Sequence, residues 1–439
     1  MSLLFDKTND LLEMIDQIDQ PTLDCVVIPP DVDSLTDEEE HFEDDLFDMN
    51  NIPDIAGTIE VIQEDLDVPT YEKKQKKWVK EDIKNIKIAN DIQYEEDERR
   101  EEMLASKTPL EMFELFINEQ IYNLIIENSL KYSLQKNCHN FNLSKKNLKR
   151  FLGILILSGY HTLPQTKFYW SNEDDKGVPI VKRAMSRNSF QEIKRFIHFC
   201  DNDEIDSTDK FFKIRPFLNI LNKNFMIFDV FSHKLSIDEQ MVPYFGRHSS
   251  KMFLQCKPVR FGFKLWCLCS SEGYLFQYIP YAGASSSQND GLGLGERVVL
   301  ELLKVIKHPE NHKIHFDNFF SSLKLFEKLN EKNFCAVGTI RENRFSNCNI
   351  LLSNSEMKNS RVPKGEIDFA SLTSNDSNEN DLVIVKWKDN SVVNFISNFV
   401  GVEPLNVVKR RKKKTNCARC SATCNCSSIQ YRNGRCRFK

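Results

Sequence analysis

The chain has 439 residues and a formal net charge of −5, and charged residues make up 28% of it. It contains no run of roughly eighteen apolar residues, and its opening segment MSLLFDKTND carries acids where a secretory signal has a cationic stretch. We therefore expect neither a membrane span nor a secretory leader, and we expect the thirteen cysteines to be reduced thiols.

The charge is unevenly distributed along the chain. Residues 31–50, DVDSLTDEEEHFEDDLFDMN, are strongly acidic and contain few aromatic residues. Such a segment cannot bury enough apolar surface to offset the entropy lost on ordering. We expect residues 1–107 to form an acidic disordered leader, which is either an interaction tail or a solvated segment.

Residues 108–231 have the pattern of a helical domain. Thr108 as N-cap, Pro109 at the first helical position and Glu111 in the first turn predict a helix start. Apolar spacing predicts helices over 112–136, 144–164, 186–201 and 211–231. These helices carry basic residues that either form solvated faces or contact DNA phosphates: Lys145, Lys146, Lys149, Arg150, Lys182, Arg183, Arg187, Lys194 and Arg195.

Two aspartates mark the α/β region that follows. Asp238 lies inside the apolar strand pattern that begins at Lys234, where an unpaired carboxylate is costly unless a cation neutralises it. Asp317 ends a short strand pattern, KIHF, and precedes a helical one. Open α/β sheets place their sites at the carboxyl ends of strands. Two such aspartates on neighbouring strands could hold divalent metal for phosphoryl displacement.

The remainder of this region alternates between strand and helix patterns. Strands continue to Gly283, a helix is predicted over 296–307, and a strand follows over 332–343. Residues 344–381 are polar and loop-rich, and 381–399 predict a hairpin that turns at Asp389 and Asn390.

The tail, residues 409–439, is basic and contains cysteines. Its opening run KRRKKK at 409–414 indicates either a nuclear import signal or nonspecific phosphate contacts. Cys417, Cys420, Cys424 and Cys426 follow, and the CxxC pair could supply two thiolates to Zn²⁺. The alternative is a set of free cysteines in a disordered tail.

Several blocks of the chain resemble, in order and spacing, those of the piggyBac family of cut-and-paste transposases and the domesticated proteins derived from them. The blocks are SIDEQMVPYFGR (236–247), KPVRFGFKLWCL (257–268), YLFQYIPYAG (274–283), HFDNFFSSLKLFEKL (315–329), CAVGTIREN (335–343) and VIVKWKDNSVVNFISNFVGVEP (383–404). The resemblance covers about 108–408. It implies an α/β fold, with an RNase H-like catalytic core over 232–408 and a helical flanking, DNA-binding domain.

The resemblance also implies a chemistry. A triad of aspartates holding Mg²⁺ or Mn²⁺ would hydrolyse DNA at transposon ends and join the 3′-OH to target DNA. Asp238 is then the first metal ligand and Asp317 the second. Implied partners are transposon terminal repeats, target DNA and a second copy of the chain, and the implied location is the nucleus.

The third ligand is where the chain departs from the family pattern. The family places it just after the strand corresponding to Val392–Ser397, and the stretch here, NFVGVEP, has no aspartate. Asp389, which is also a natural turn residue, and Glu403 are the nearby carboxylates. Family members also continue into a helical segment that completes the core, whereas this chain runs into its basic tail, so we expect a core shortened at its C-terminus. The alternative to a transposase is therefore a domesticated, catalytically impaired DNA-binding protein.

Overall fold

The computed structural model describes residues 77–83, 100–173, 175–204, 206–254, 258–283, 292–345, 348–373 and 382–403 in full. It also describes the backbone of strand residues 2–5, 24–28, 58–62, 380–381, 406–410, 418–422, 429–432 and 435–438. The described helices are α1 (Pro109–Phe116), α2 (Glu119–Gln135), α3 (Lys145–Tyr160), α4 (Pro179–Ala184), α5 (Arg187–Phe196), α6 (Arg215–Phe225), α7 (Leu294–Leu302), α8 (Leu323–Glu331) and α9 (Asn354–Lys358). None of them combines the length and apolarity that a membrane-spanning helix requires.

The helix starts follow from local capping chemistry. The Thr108 hydroxyl accepts the Glu111 N–H, and the Glu111 carboxylate accepts the Thr108 N–H, which completes the expected capping box. The single helix predicted over 112–136 is in fact two helices. Asn118 interrupts it, because its side chain accepts the Ile121 N–H (3.2 Å) and caps α2 anew.

The helices α2–α6 enclose a hydrophobic cluster of their own. Ile121, Leu148, Phe151 and Phe190 are among its buried members. The sequence also predicts Leu155 and Ile156 on the buried side of α3, and this is wrong: their side chains are 43% and 52% exposed. The helix buries one stripe, through Leu148, Phe151 and Ile154, which faces α2 and α5.

The strands are β1 (Ser2–Phe5), β2 (Asp24–Ile28), β3 (Thr58–Ile62), β4 (Lys77–Val79), β5 (Lys234–Pro243), β6 (Met252–Phe253), β7 (Phe261–Ser270), β8 (Leu275–Pro280), β9 (Lys313–Phe316), β10 (Cys335–Thr339), β11 (Ile367–Thr373), β12 (Asn380–Lys388), β13 (Val392–Ser397), β14 (Asn406–Arg410), β15 (Ala418–Ala422), β16 (Ile429–Arg432) and β17 (Arg435–Phe438).

Thirteen of the described strands form one mixed sheet, whose centre runs in the order β8-β7-β5-β9-β10-β13-β12-β11. Strand β9 is parallel to both β5 and β10, and the other pairings in this stretch are antiparallel. One face of the centre is covered by α7 and α8, and buried residues of both helices join the largest hydrophobic cluster. The mixed α/β fold expected from the sequence is confirmed.

Two parts of the sheet differ from the sequence-based expectation. Strand β11 lies in the stretch 344–381, expected to be loop-rich, and pairs along its length with β12. Strand β4 lies within the expected leader and pairs with β11 at the edge of the sheet. Strands β1–β3 also lie in the leader and reach the sheet through β6. Their segments, SLLF, DCVVI and TIEVI, are rich in apolar and β-branched residues, which favour strands over disorder.

Candidate active site

The parallel pairing of β5 with β9 brings Asp238 and Asp317 together. In that register Ile237 lies opposite Phe316; Asp238 is the next residue of β5, and Asp317 directly follows the end of β9. Neighbouring strands are about 4.8 Å apart, so the two positions are immediate neighbours across the sheet. Ile237 and Phe316 point into the main hydrophobic cluster. Asp238 therefore points to the opposite face, where it is exposed.

Local hydrogen bonds orient both carboxylates. Asp238 Oδ1 accepts the N–H of Glu239 (2.8 Å), and Asp317 Oδ1 accepts the N–H of Phe319 (2.9 Å). The Asp317 carbonyl oxygen accepts the hydroxyl of the fully buried Ser321 (3.0 Å). The segment 318–322 is thus a compact turn between β9 and α8, as the strand-to-helix pattern predicts.

Two cysteines that were not predicted as site residues share the face of Asp238. Cys267 on β7 lies directly opposite Asp238, and Cys269 lies opposite Ser236. Burial raises the pKa of the Cys267 thiol, and the charge of Asp238 raises it further. Burial and then Asp238 raise the pKa of Cys269 to about 11. Both groups are therefore neutral thiols rather than nucleophiles. The signal in the sequence was the alternation CLC within a strand.

His315 lies on β9, two residues before Asp317. It is 5% exposed, and burial, with smaller contributions from Lys234 and Lys313, lowers its pKa to about 4. The imidazole is neutral at physiological pH. His315 is therefore a packed core residue.

Lys264 is a second buried polar residue near the pair. It is only 3% exposed, and its side-chain nitrogen lies 4.0 Å from the ring centroid of Trp266. The ring of Phe319, in the turn after Asp317, is 5.1 Å away. Lys264 is therefore enclosed by aromatic rings, and Trp266 is a core residue that is 1% exposed.

The register does not bring Asp389 to the aspartate pair. Asp389 lies in the predicted hairpin turn after β12, is 9% exposed, and donates its N–H to the Ser391 carbonyl (2.9 Å). Val385, four residues before Asp389, pairs with Phe395, and Phe395 pairs with Thr339. Thr339 on β10 is level with Asp317, because the preceding residues of the two segments, Gly338 and Phe316, pair with each other. Val385 is therefore level with Asp317 across the sheet. Asp389 and Asp317 are three strand spacings apart across the sheet and four residues apart along the strand. The distance between them is therefore on the order of 20 Å.

Glu403 lies beyond the opposite end of β13. That strand is antiparallel to β10, so its last residues lie level with the start of β10, away from Asp317. The Glu403 N–H donates to the carboxylate of Asp82 (3.1 Å). The structure places neither Asp389 nor Glu403 beside Asp238 and Asp317.

The donor set determines which metal the pair fits. Within the fully described ranges, no group of three or more His, Cys, Asp or Glu side chains is arranged to hold a metal ion. Mg²⁺, however, is often bound through one or two carboxylates, with water and substrate phosphate completing the shell. Adjacent carboxylates at Asp238 and Asp317 fit that mode.

The zinc hypothesis concerns residues largely outside the described part. Cys417, Cys424 and Cys426 lie outside the described residues, and Cys420 lies on β15, where only the backbone is described. Residues 409–410 of the KRRKKK run belong to β14, and 411–414 lie outside the described residues.

Comparison with known proteins gives a family match over most of the chain. The family model described as Transposase IS4 matches residues 108–425. The chain is 34% identical over 311 residues to human PiggyBac transposable element-derived protein 3, covering 70% of the chain and 51% of the relative. It is 35% identical over 344 residues to human PiggyBac transposable element-derived protein 2, covering 77% and 56% respectively. The chain thus spans about half the length of these curated relatives.

Among solved structures, the fold is similar to that in a cryo-EM structure of the piggyBac transposase synaptic complex with hairpin DNA. The TM-score is 0.53 with 23% sequence identity, covering 66% of this chain and 60% of that chain. At this identity the comparison concerns the fold. The match agrees with the mixed sheet and its flanking helices.

Proposed function

This chain belongs to the piggyBac transposase family, and on that basis we propose that it is a metal-dependent DNA transposase. The observation that carries the proposal is the parallel register of β5 and β9, which pairs Ile237 with Phe316 and so makes the next residues, Asp238 and Asp317, neighbours. Two adjacent carboxylates, one within β5 and one directly after β9, supply the hard oxygen ligands that phosphoryl-transfer sites use.

The proposed reaction has two phosphoryl-transfer steps. Water attacks a phosphodiester at the transposon end and the P–O3′ bond breaks, which leaves a 3′-OH. That hydroxyl then attacks a phosphodiester of target DNA and displaces its 3′ oxygen. Asp238 and Asp317 would hold the divalent ion, Mg²⁺ or Mn²⁺, and the ion would supply positive charge that stabilises the phosphoryl transition state. The family generally uses divalent metals, and which ion serves this chain is part of the proposal.

Exposed basic residues on the helices support DNA as the partner. Lys146 and Arg150 on α3, and Arg187 and Arg195 on α5, are exposed. They contrast with Lys145 and Lys149, which pair with Glu119 and Glu114 respectively. Exposed cations of this kind can neutralise phosphates and release counterions. Arg150→Glu should therefore weaken DNA binding and flatten its dependence on salt concentration, as measured by fluorescence anisotropy.

A second function is favoured by the placement of Asp389 and Glu403, neither of which joins the pair. If catalysis needs a third carboxylate, a protein that supplies only these two would bind DNA without cutting it. The alternative is therefore a domesticated, catalytically impaired DNA-binding protein.

One cleavage experiment separates the two functions. Nicking of DNA carrying candidate terminal repeats is measured with Mg²⁺ and with Mn²⁺, for the wild type and for Asp238→Ala, Asp317→Ala, Asp389→Ala and Glu403→Ala. Glu331→Ala, at the exposed end of α8, is the control. Cleavage that is lost in the first two variants and retained in the control supports the transposase. DNA binding without cleavage by the wild type supports the alternative.

The basic tail and the assembly state complete the proposal. We expect KRRKKK to direct the chain to the nucleus, so a fluorescent fusion should leave the nucleus when these residues are replaced by glutamine.

The metal content of the purified protein, compared with Cys417→Ser and Cys420→Ser variants, decides between zinc and free cysteines. Light scattering at twice the monomer mass would support the homodimer.

A further inference from the structure

One guanidinium group holds the turn that follows Asp317. Arg344 lies in the short 3-10 turn Glu342–Phe345, after β10. Its Nη1 atom donates to the carbonyl oxygens of Asn318 (3.1 Å), Phe319 (3.1 Å) and Ser321 (2.6 Å). These three carbonyls converge on one nitrogen, although they belong to a segment of only four residues.

This arrangement is stronger than a neutral contact of the same geometry. The guanidinium stays protonated at any physiological pH, and it is less strongly hydrated than an ammonium group. Hydrogen bonds to a charged donor are roughly twice as strong as neutral ones. Three carbonyl oxygens that face one another repel, because each carries a partial negative charge. The positive charge of Arg344 offsets this repulsion just after the end of β9.

The other side of the same turn is packed against α7. A Cβ on Gly295 would lie 2.8 Å from the Phe319 carbonyl oxygen, so the helix backbone touches the turn directly. The Ser322 hydroxyl donates to the carboxylate of Glu296. The turn is thus fixed between α7 on one side and Arg344 on the other.

The backbone of this turn orients the Asp317 carboxylate. Asp317 Oδ1 accepts the N–H of Phe319, and this N–H belongs to the same peptide unit as the Asn318 carbonyl, which Arg344 holds. A rotation of that peptide unit would move the donor that hydrogen-bonds to the carboxylate. The position of Arg344 is thereby coupled to the orientation of the second ligand.

We infer that Arg344 is a positioning residue for Asp317, acting through the backbone of residues 318–321. It does not touch the metal or the DNA in this role. The inference rests on the proposed function, since it presumes that Asp317 binds a divalent ion. Outer-shell partners of metal ligands typically contribute 10–100-fold to metal affinity, and we expect roughly a tenfold effect here.

The test uses the full chain and two measurements. Mn²⁺ affinity is measured by electron paramagnetic resonance of the free ion, and hydrogen exchange is followed in the peptide covering 316–323. The variants are Arg344→Ala, Arg344→Lys and Asp317→Ala. Arg215→Ala is the matched control, because Arg215 makes a bidentate, partly buried ion pair with Asp209 in the helical part.

We expect Arg344→Ala to bind Mn²⁺ roughly tenfold more weakly and to exchange faster in 316–323. Arg344→Lys should be intermediate, because an ammonium keeps the charge but not the planar fork. Arg215→Ala should lose stability and keep the Mn²⁺ affinity of the wild type. If Arg344→Ala does not fold, Arg344→Lys decides, and a wild-type affinity in that variant would overturn the inference.

Failure of the inference differs from failure of the proposed function. Equal Mn²⁺ affinity in the wild type and Asp317→Ala would overturn the function. In that case hydrogen exchange alone tests whether Arg344 stabilises the turn 318–321. Unchanged exchange in Arg344→Ala would overturn that role of Arg344.

Discussion

The side chain of Asp238 sets the electrostatics of its own face of the sheet. Cys267 and Cys269 lie on the neighbouring strand β7, and the carboxylate raises the pKa of both thiols beyond the effect of burial. A thiolate beside this aspartate would place two negative charges together in a partly desolvated site. The thiols thus report on the charge of Asp238 without any requirement for catalysis.

The first prediction uses Cys269 as that reporter. Asp238→Asn should lower the pKa of Cys269 from about 11. The substitution removes the charge of Asp238, which is the second cause of the raised pKa, and leaves burial, which is the first. The pH dependence of alkylation by iodoacetamide, followed by mass spectrometry, measures this pKa. Cys200 is the internal control, because its pKa is raised by burial and by groups other than Asp238. An unchanged Cys269 profile would contradict the register between β5 and β7.

The second prediction concerns His315 and acid stability. Its pKa is lowered from 6.5 to about 4 in the folded protein. The unfolded chain therefore binds more protons between these pH values, so the stability contribution is complete above the unfolded pKa and is lost as pH falls towards the folded one. The loss is roughly 3 kcal/mol if the group titrates independently.

Urea unfolding of the wild type and His315→Gln between pH 4 and pH 7 measures this contribution. The variant should show a shallower fall in the free energy of unfolding as pH decreases. His139→Gln, at an exposed position, should keep the slope of the wild type. Equal slopes in all three proteins would show that His315 is not buried as a neutral imidazole.

At the scale of elements, β9, the turn after Asp317 and β10 pack as one unit. Gly338 on β10 lies opposite Phe316 on β9. A Cβ on Gly338 would lie 2.6 Å from Ser321 Oγ and 2.9 Å from the Phe316 carbonyl oxygen. The missing side chain of Gly338 therefore makes room for the serine that bonds to the Asp317 carbonyl.

The third prediction follows from this packing. Gly338→Ala should lower the free energy of unfolding by about 1–3 kcal/mol, the usual cost of overpacking. Gly153→Ala in α3 is the matched control, because no atom lies within 4 Å of the added methyl group. In a helix that change should stabilise the protein by about 0.5–1 kcal/mol. Urea midpoints of both variants test the prediction. A change in the free energy of unfolding that has the same sign in both variants would contradict it.

At the scale of the whole molecule, a segment of the expected leader stabilises the far end of the sheet. Asp82, just after β4, accepts the N–H groups of Val402 (2.8 Å) and Glu403 (3.1 Å) with its carboxylate. Ile83 and Val402 are buried in one hydrophobic cluster with residues of β12 and β13. Contacts over more than 300 residues of sequence therefore help to order the stretch after β13.

The fourth prediction tests this long-range contact. Asp82→Ala should destabilise the protein by about 1–3 kcal/mol, because two backbone donors lose a charged acceptor. It should also speed hydrogen exchange in residues 398–403. Asp203→Ala, at an exposed position in the helical part, should change neither quantity. Unchanged exchange in the Asp82 variant would show that the segment 77–83 does not hold this stretch.

Much of the candidate site could be predicted because local rules decide it. The capping box at Thr108, the strand ending before Asp317 and the hairpin around Asp389 all follow from patterns within about ten residues, and the structure contains all three. The pairing of Asp238 with Asp317 was reached as a hypothesis, because strand ends next to helices collect functional carboxylates.

The sequence by itself determined the helix starts, the strand and hairpin segments and the place of Asp238 and Asp317 within or beside them, because turn chemistry and hydrophobic period act over short distances. Only the tertiary structure decided the partners of those elements. Strand register placed Asp389 and Glu403 away from the pair, enclosed Lys264 among aromatic rings and brought β4 to the sheet edge. The convergence of three carbonyls on Arg344 likewise depends on how β10 lies beside β9. Pairing between distant segments depends on the packing of the whole sheet, and no local pattern of residues encodes it.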